Sequence, residues 1–365
     1  MWYDSLLDSG YLPDRVIRVG IRQLLQSRIR ELYHDDEEKK FEYKMNFIND
    51  LKAMPIAISM EKANDQHYEV PAEFMALFMG SNMKYSCGLF ADGVDTIEEA
   101  ENRMLEVYCE RARIQDGLDI LDLGSGWGSL TLFIAKRYPK SRITAFSNSF
   151  SQAQFVEEQS RKLGVTNIET VTGDIVDYEW ESERKFHRIV TIEMIEHMKN
   201  YELLFAKLSR WLYPDGLLFA ETLSHREVPY HFNVDDDHSW MARHFFTGGC
   251  MPSRDLYLYF QSHLRMVDQW YHNGTHFHRT SECWLRNLDR HRDQALPVLA
   301  RIYAPLVGAD PQSARGEQIA RKWFQRWRIY NMACSEMFAY GNFQEWGITH
   351  HLLQNRGFEA AVKYG

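Results

Sequence analysis

Apolar and polar positions change their period along this chain, and the changes divide it into three stretches. From residue 1 to about 115 the spacing is helical: Arg15 to Tyr33 and Glu98 to Ala112 repeat apolar residues every three or four positions. The charged run Asp35 to Lys40 reads as a solvated face or a loop. From about 116 to 223 short apolar runs alternate with amphipathic stretches, as parallel strands do with crossover helices. Leu118 to Leu123, Arg142 to Asn148, Ile168 to Thr172, Arg188 to Ile192 and Leu217 to Leu223 are the expected strands. Ser151 to Leu163 is the helix before the third strand, with a Ser151/Gln154 capping box and Gly164 as its terminal cap. Beyond residue 223 the pattern is mixed. Leu256 to Phe260 and Leu264 to Tyr271 suit strands or short helices, Glu317 to Tyr340 a long helix, and Trp346 to Leu353 a last strand returning to the sheet. The expectation is an α/β fold in three parts: a helical arm or lid (1–115), a Rossmann-like core (116–223), and a mixed cap that also completes the core (224–365).

Composition narrows the function. With 365 residues, 45% of them hydrophobic and 14% aromatic, the chain has apolar surface enough for a large core. Its net charge of −9, without a long basic run, argues against binding nucleic acid through phosphate neutralisation. Cys87, Cys109, Cys250, Cys283 and Cys334 are scattered, odd in number and never paired as C-x-x-C, so neither a zinc site nor a disulfide framework is indicated. Residues 1–14 carry acids and no apolar signal core, and no segment approaches the ~18 apolar residues of a spanning helix. These features lead us to expect a cytoplasmic protein without integral membrane association, with a homodimer left open.

The chemistry gathers behind the first strand. Gly124-Ser125-Gly126-Trp127-Gly128 follows Leu118 to Leu123 directly, as a strand entering a glycine turn and then a helix whose amides favour anionic groups. The G-x-G-x-G spacing departs from the dinucleotide fingerprint G-x-G-x-x-G and disfavours a nicotinamide cofactor. It resembles the first motif of the S-adenosylmethionine methyltransferases. Asp174, just past the third strand, stands where that superfamily holds the adenine amino group, with Ile175 beside it. The fourth strand delivers Glu193, Glu196 and His197 to the same sheet edge, where open α/β sheets bind ligands.

Further motifs make the resemblance narrower. They are Tyr68-Glu69-Val70-Pro71, Lys84-Tyr85-Ser86-Cys87, Ser147-Asn148-Ser149 with Gln152, and Glu196-His197-Met198-Lys199-Asn200, with later echoes at Met251-Pro252-Ser253 and His276-Phe277. From about residue 60 onward the chain is similar to the coclaurine- and pavine-type alkaloid N-methyltransferases, within the superfamily of the cyclopropane-fatty-acid synthases. The resemblance implies S-adenosylmethionine as cofactor and a small, aromatic or alkaloid-like amine as substrate. It implies that Tyr85 and Ser86 close over the cofactor's carboxylate and sulfonium, that Gly124, Gly126 and Gly128 hold its methionine end, and that Asn148 and Gln152 reach the ribose. Most other methyltransferases place an acid at the ribose, and this chain has none from Ile143 to Gln154.

An amine must lose its proton before it can attack, so the reaction needs a base. The resemblance directs Glu69 and His197 at the substrate nitrogen, with Glu193 and Glu196 beside them. Without it, Glu196-His197 reads equally as a helix start and Glu69 as an exposed acid. Aromatic residues including Tyr257, Phe260 and Phe277 are candidates for a pocket around a flat cation, with core packing the alternative for each taken alone. His272, His276 and His278 follow no regular ligand pattern, and methyl transfer from this cofactor needs no metal. The competing enzyme is a cyclopropane synthase-like lipid carbon methyltransferase. In that group a bound bicarbonate takes the proton, and Cys87 and Glu196 match two of its ligands, while Phe277 stands in place of the usual tyrosine. A non-catalytic cofactor-binding protein is the third alternative.

Overall fold

The computed structural model describes residues 4–33, 36–58, 70–181, 183–233 and 240–357. Five strands run parallel: β1 (Asp119–Leu123), β2 (Arg142–Ser147), β3 (Ile168–Thr172), β4 (Phe186–Ile192) and β5 (Leu212–His225). Tyr230–His231 (β6) and Cys250–Met251 (β7) form a short antiparallel ladder. The strands β8 (Leu264–Asn273) and β9 (Trp346–Asn355) complete the main sheet in the order β3-β2-β1-β4-β5-β9-β8, with β9 antiparallel to both neighbours.

The central strands β1 and β2 are buried over nearly their whole length, with Asp122, Thr144 and Ser147 among their buried residues beside the apolar ones. The two-residue period divides them between two apolar clusters. Ile120 and Leu352 join the one containing Trp284 and Trp327, whereas Leu121 and Leu353 join the one containing Leu204 and Tyr257. Helix Asp14–Tyr33 packs on helix Ala314–Phe343, so the start and the end of the chain close the same side of the sheet.

Several expectations are corrected. The charged run at Asp35 to Lys40 starts helix Glu37–Ala53: Asp36 caps it, accepting from the N–H groups of Glu38 and Lys39, and Glu37 and Glu38 suit its first turn. The cap of helix Phe150–Leu163 is Ser149, two residues before the expected one, since Ser149 is the residue in extended conformation (φ −105°, ψ 121°). Gly164 ends that helix at φ +67°, as expected. Leu256–Tyr259 is a short 3₁₀ helix, whereas the following segment pairs as β8. The long helix departs from helical geometry at Tyr340, Gly341 and Asn342. Among the described residues, no helix is long and apolar enough to cross a membrane.

Candidate active site

The glycine turn leaves β1 with positive φ at Gly124 (+83°), Gly126 (+52°) and Gly128 (+78°). A Cβ on Gly124 would stand 2.7 Å from Met194 Cγ, and one on Gly128 would stand 2.6 Å from Val156 Cγ2. At Gly126 nothing among the described residues lies within 4 Å of that position. Two of these glycines thus admit tight packing, while the third leaves backbone bare toward the cavity it lines. Asp122, which sequence reasoning missed, braces the turn from below: its carboxylate accepts from Thr131 Oγ1 at 2.6 Å, tying β1 to the next helix. Burial pushes its pKa up to about 6. Its signal was an acid flanked by Leu121 and Leu123 just before the glycine turn.

Beside the turn, Ser147, Asn148 and Gln152 line the cavity from β2 and the following helix. Gln152 is buried and accepts from the Ser147 hydroxyl at 2.8 Å. Gly173 and Ile175 line it after β3. Asp174 lies between them and spends one oxygen on the Val176 N–H at 2.8 Å, which holds the loop. Tyr85 and Ser86 line the cavity from the segment before Cys87, whose N–H meets Glu193. Tyr85 is stacked on Trp284 (5.5 Å, 27°), and Ser86 accepts from the buried ammonium of Lys84.

The acids after β4 share one wall. Glu193 has φ +48°, donates its N–H to the Glu221 carbonyl at 2.9 Å and accepts from the Cys87 N–H at 3.0 Å. Burial and the nearby Glu221 charge raise its pKa well above the carboxylate range. Burial opposes ionisation of Glu221 too, but His350, Lys84 and Tyr108 outweigh it and hold that carboxyl low. Glu196, 1% exposed, accepts from the Leu223 N–H at 2.6 Å through one oxygen, and its Oε2 has no hydrogen-bond partner among the described residues. Burial pushes its pKa up to about 8. Next to it, His197 lies against the Phe246 ring at 4.5 Å. Burial and the Lys199 charge lower its pKa to about 4.

Glu193, Glu196 and His197 open on the same cavity of about 680 Å³ as the glycine turn. Its other walls are apolar and aromatic: Trp240, Phe246 and Phe277 from the cap, Tyr330 and Phe338 from the long helix, Ile17 and Leu24 from the N-terminal helix. Phe277 is stacked on Phe338 at 4.5 Å and 17°. Tyr257 and Phe260 are corrections: both pack against Tyr201 in the opposite apolar cluster and do not line the cavity. Glu69 lies outside the described residues. The three spaced histidines are engaged elsewhere: His272 meets Arg111, His276 accepts from the Phe90 N–H, and His278 meets Ser335. The bare backbone at Gly126 and the unpartnered Glu196 oxygen fit a cationic cofactor with an amino-acid tail, as S-adenosylmethionine is.

The mycolic acid cyclopropane synthetase family matches residues 57–304. The chain is 39% identical over 352 residues to (S)-coclaurine N-methyltransferase from Thalictrum flavum subsp. glaucum, covering 96% of this chain and 94% of that protein. It is 36% identical to the (S)-coclaurine N-methyltransferase of Papaver somniferum, with 96% and 97% covered. A crystal structure of coclaurine N-methyltransferase bound to N-methylheliamine and S-adenosylhomocysteine superposes with a TM-score of 0.88 at 38% identity, covering 96% of this chain and 98% of that one. The chain therefore belongs to the mycolic acid cyclopropane synthetase family, and within it to the coclaurine-type N-methyltransferases.

Proposed function

We propose that this protein methylates the nitrogen of a small aromatic, alkaloid-like amine, using S-adenosylmethionine, with Glu196 receiving the proton that the nitrogen gives up. The observation that carries the reading is the buried Glu196 carboxyl, which lines an aromatic-walled cavity beside the glycine turn. The cofactor supplies an activated methyl group for in-line displacement. Everything else falls to the side chains.

An amine arrives as an ammonium ion without a lone pair. The aromatic walls suit a flat cation, and expulsion of water strengthens its attraction to a carboxylate. A proton acceptor works best when its affinity lies near the working pH. That supports Glu196, at about 8, over His197, at about 4, as the acceptor. His197 then stays neutral and orients the N–H through an imidazole lone pair. Glu193, kept protonated, adds no second charge but fixes the bend after β4 through the Cys87 N–H. Asn148 and Gln152 are assigned to the ribose, Asp174 and Ile175 to the adenine, and Tyr85 and Ser86 to the amino-acid end.

Lipid carbon methylation remains the comparison because the family description names cyclopropane synthesis. Against it, Cys87 does not line the cavity and turns its thiol to the Gly88 carbonyl at 3.3 Å. The test is a bicarbonate-depleted assay with S-adenosylmethionine and either a panel of arylalkylamines or unsaturated phospholipid vesicles. N-methylated amine formed without bicarbonate is expected, whereas bicarbonate-dependent cyclopropanation with no amine product contradicts the proposal.

A further inference from the structure

Helix Asp14–Tyr33 turns one face to the cavity, carrying Ile17, Gly20, Ile21 and Leu24 at helical spacing. Gly20 is out of place there. Glycine is a poorer helix former than alanine in a helix interior, and a helical backbone does not need one. Close packing does not require it either: nothing among the described residues lies within 4 Å of where its Cβ would stand. At Gly274, by contrast, a Cβ would stand 1.9 Å from the Phe338 carbonyl oxygen, and at Gly124 it would meet Met194. What a side chain at Gly20 would enter is the cavity itself.

Resting on the proposed amine methylation, we propose that Gly20 is a specificity-determining residue, leaving room for a bulky hydrocarbon substituent carried by the amine beyond its ring system. Around Gly20 the wall is mostly apolar, with Val16, Ile17, Ile21 and Leu24 as its neighbours, while Gln23 and Arg28 of the same helix also line the cavity. Arg18 and Arg22, on the same helix, turn instead to Glu336, at 3.0 and 2.5 Å. On the long helix that packs against this one, Ala333 also lines the cavity and is small, and Met337 adds an adaptable apolar surface. A substituent seated here gains by burying apolar area, and a side chain at Gly20 would compete for the same volume.

The test compares wild type, Gly20→Ala and Gly20→Leu with two probes: tetrahydroisoquinoline, and its derivative bearing a benzyl group on the carbon next to nitrogen. Amine Kd is measured by calorimetry in the presence of S-adenosylhomocysteine, and kcat/KM with S-adenosylmethionine. Gly20→Leu is expected to weaken binding of the benzyl amine at least about tenfold while the compact amine stays within about threefold, a difference of the size that pocket sterics produce. Gly20→Ala should fall between, with Tm unchanged or raised, which separates occlusion from misfolding. Equal losses on both amines, unchanged Kd on both, or failure of the wild type to bind the benzyl amine overturns the assignment. If both amines bind and neither is methylated, the proposed chemistry falls, while the Kd comparison still decides Gly20.

Discussion

Glu196 has one oxygen held by the Leu223 N–H and the other buried without a hydrogen-bond partner among the described residues, and this arrangement couples its chemistry to stability. Its folded pKa of about 8 lies above the ordinary value of 4.5, so the folded protein keeps a proton there that the unfolded chain releases. The associated stability is complete below pH 4.5 and is lost as pH rises through about 8. Glu196→Gln, neutral at every pH, should therefore flatten the fall in Tm of the ligand-free protein between pH 5 and 9, as read by calorimetry; an unchanged slope would place the raised pKa elsewhere. At the turn, Gly124→Ala forces a Cβ onto Met194 at positive φ. We expect a loss of about 1–3 kcal/mol in stability, with weakened S-adenosylhomocysteine binding; an unchanged Tm and Kd would mean that the turn tolerates a side chain. The turn glycines were legible in the sequence because they follow directly from a strand end, whereas Glu196-His197, in the short helix beyond β4, read equally as a helix start without the family resemblance. Tyr257 and Phe260 were not: a buried aromatic looks the same in a core as in a pocket, and only the face of the sheet decides. Asp122 was passed over because it sits within the apolar strand itself.

The N-terminal helix is held by a clasp. Arg18 reaches Glu282 at 2.7 Å and Glu336 at 3.0 Å, Arg22 reaches Glu336 at 2.5 Å, and Arg328 ties Asp14 to the cap at 2.7 Å. Glu336 is 8% exposed in its side chain, so these contacts are poorly screened. Glu336→Gln should weaken them by about 1–3 kcal/mol, the range for hydrogen bonds to charged groups. Faster hydrogen exchange across Val16 to Leu24 and a raised amine KM with little change in kcat are expected; exchange as slow as in the wild type would show that apolar packing alone keeps the cavity closed. The clasp itself was not legible, because the cap residues that meet the arm lie some three hundred positions away. The same holds for helix Glu37–Ala53, whose buried Phe47, Ile48 and Leu51 all fall in its second half, behind a charged start. The parallel strands were legible because short apolar and β-branched runs alternate with amphipathic helices, even though β3 keeps polar, partly exposed positions.

Across the whole molecule, the strand order brings the carboxyl ends of β1, β2, β3 and β4 to one edge, and the first and last long helices roof it with apolar side chains. The sheet supplies the cofactor turn and the acids, while the arm and cap shape the volume left for an amine. That division explains why the cofactor was readable from local motifs, whereas the substrate walls depend on contacts between distant segments. The central claim is that the nitrogen gives up its proton to Glu196 in this enclosure. Its most direct test is the pH dependence of kcat/KM with one secondary arylalkylamine, compared among wild type, Glu196→Gln and His197→Gln. The wild-type rate should rise with an apparent pKa near 8 on the enzyme. Glu196→Gln should erase that limb and lower kcat by about 10²–10⁴-fold, whereas His197→Gln should keep the limb at a reduced rate. A limb that survives Glu196→Gln and vanishes with His197→Gln would contradict the account and make the imidazole the base.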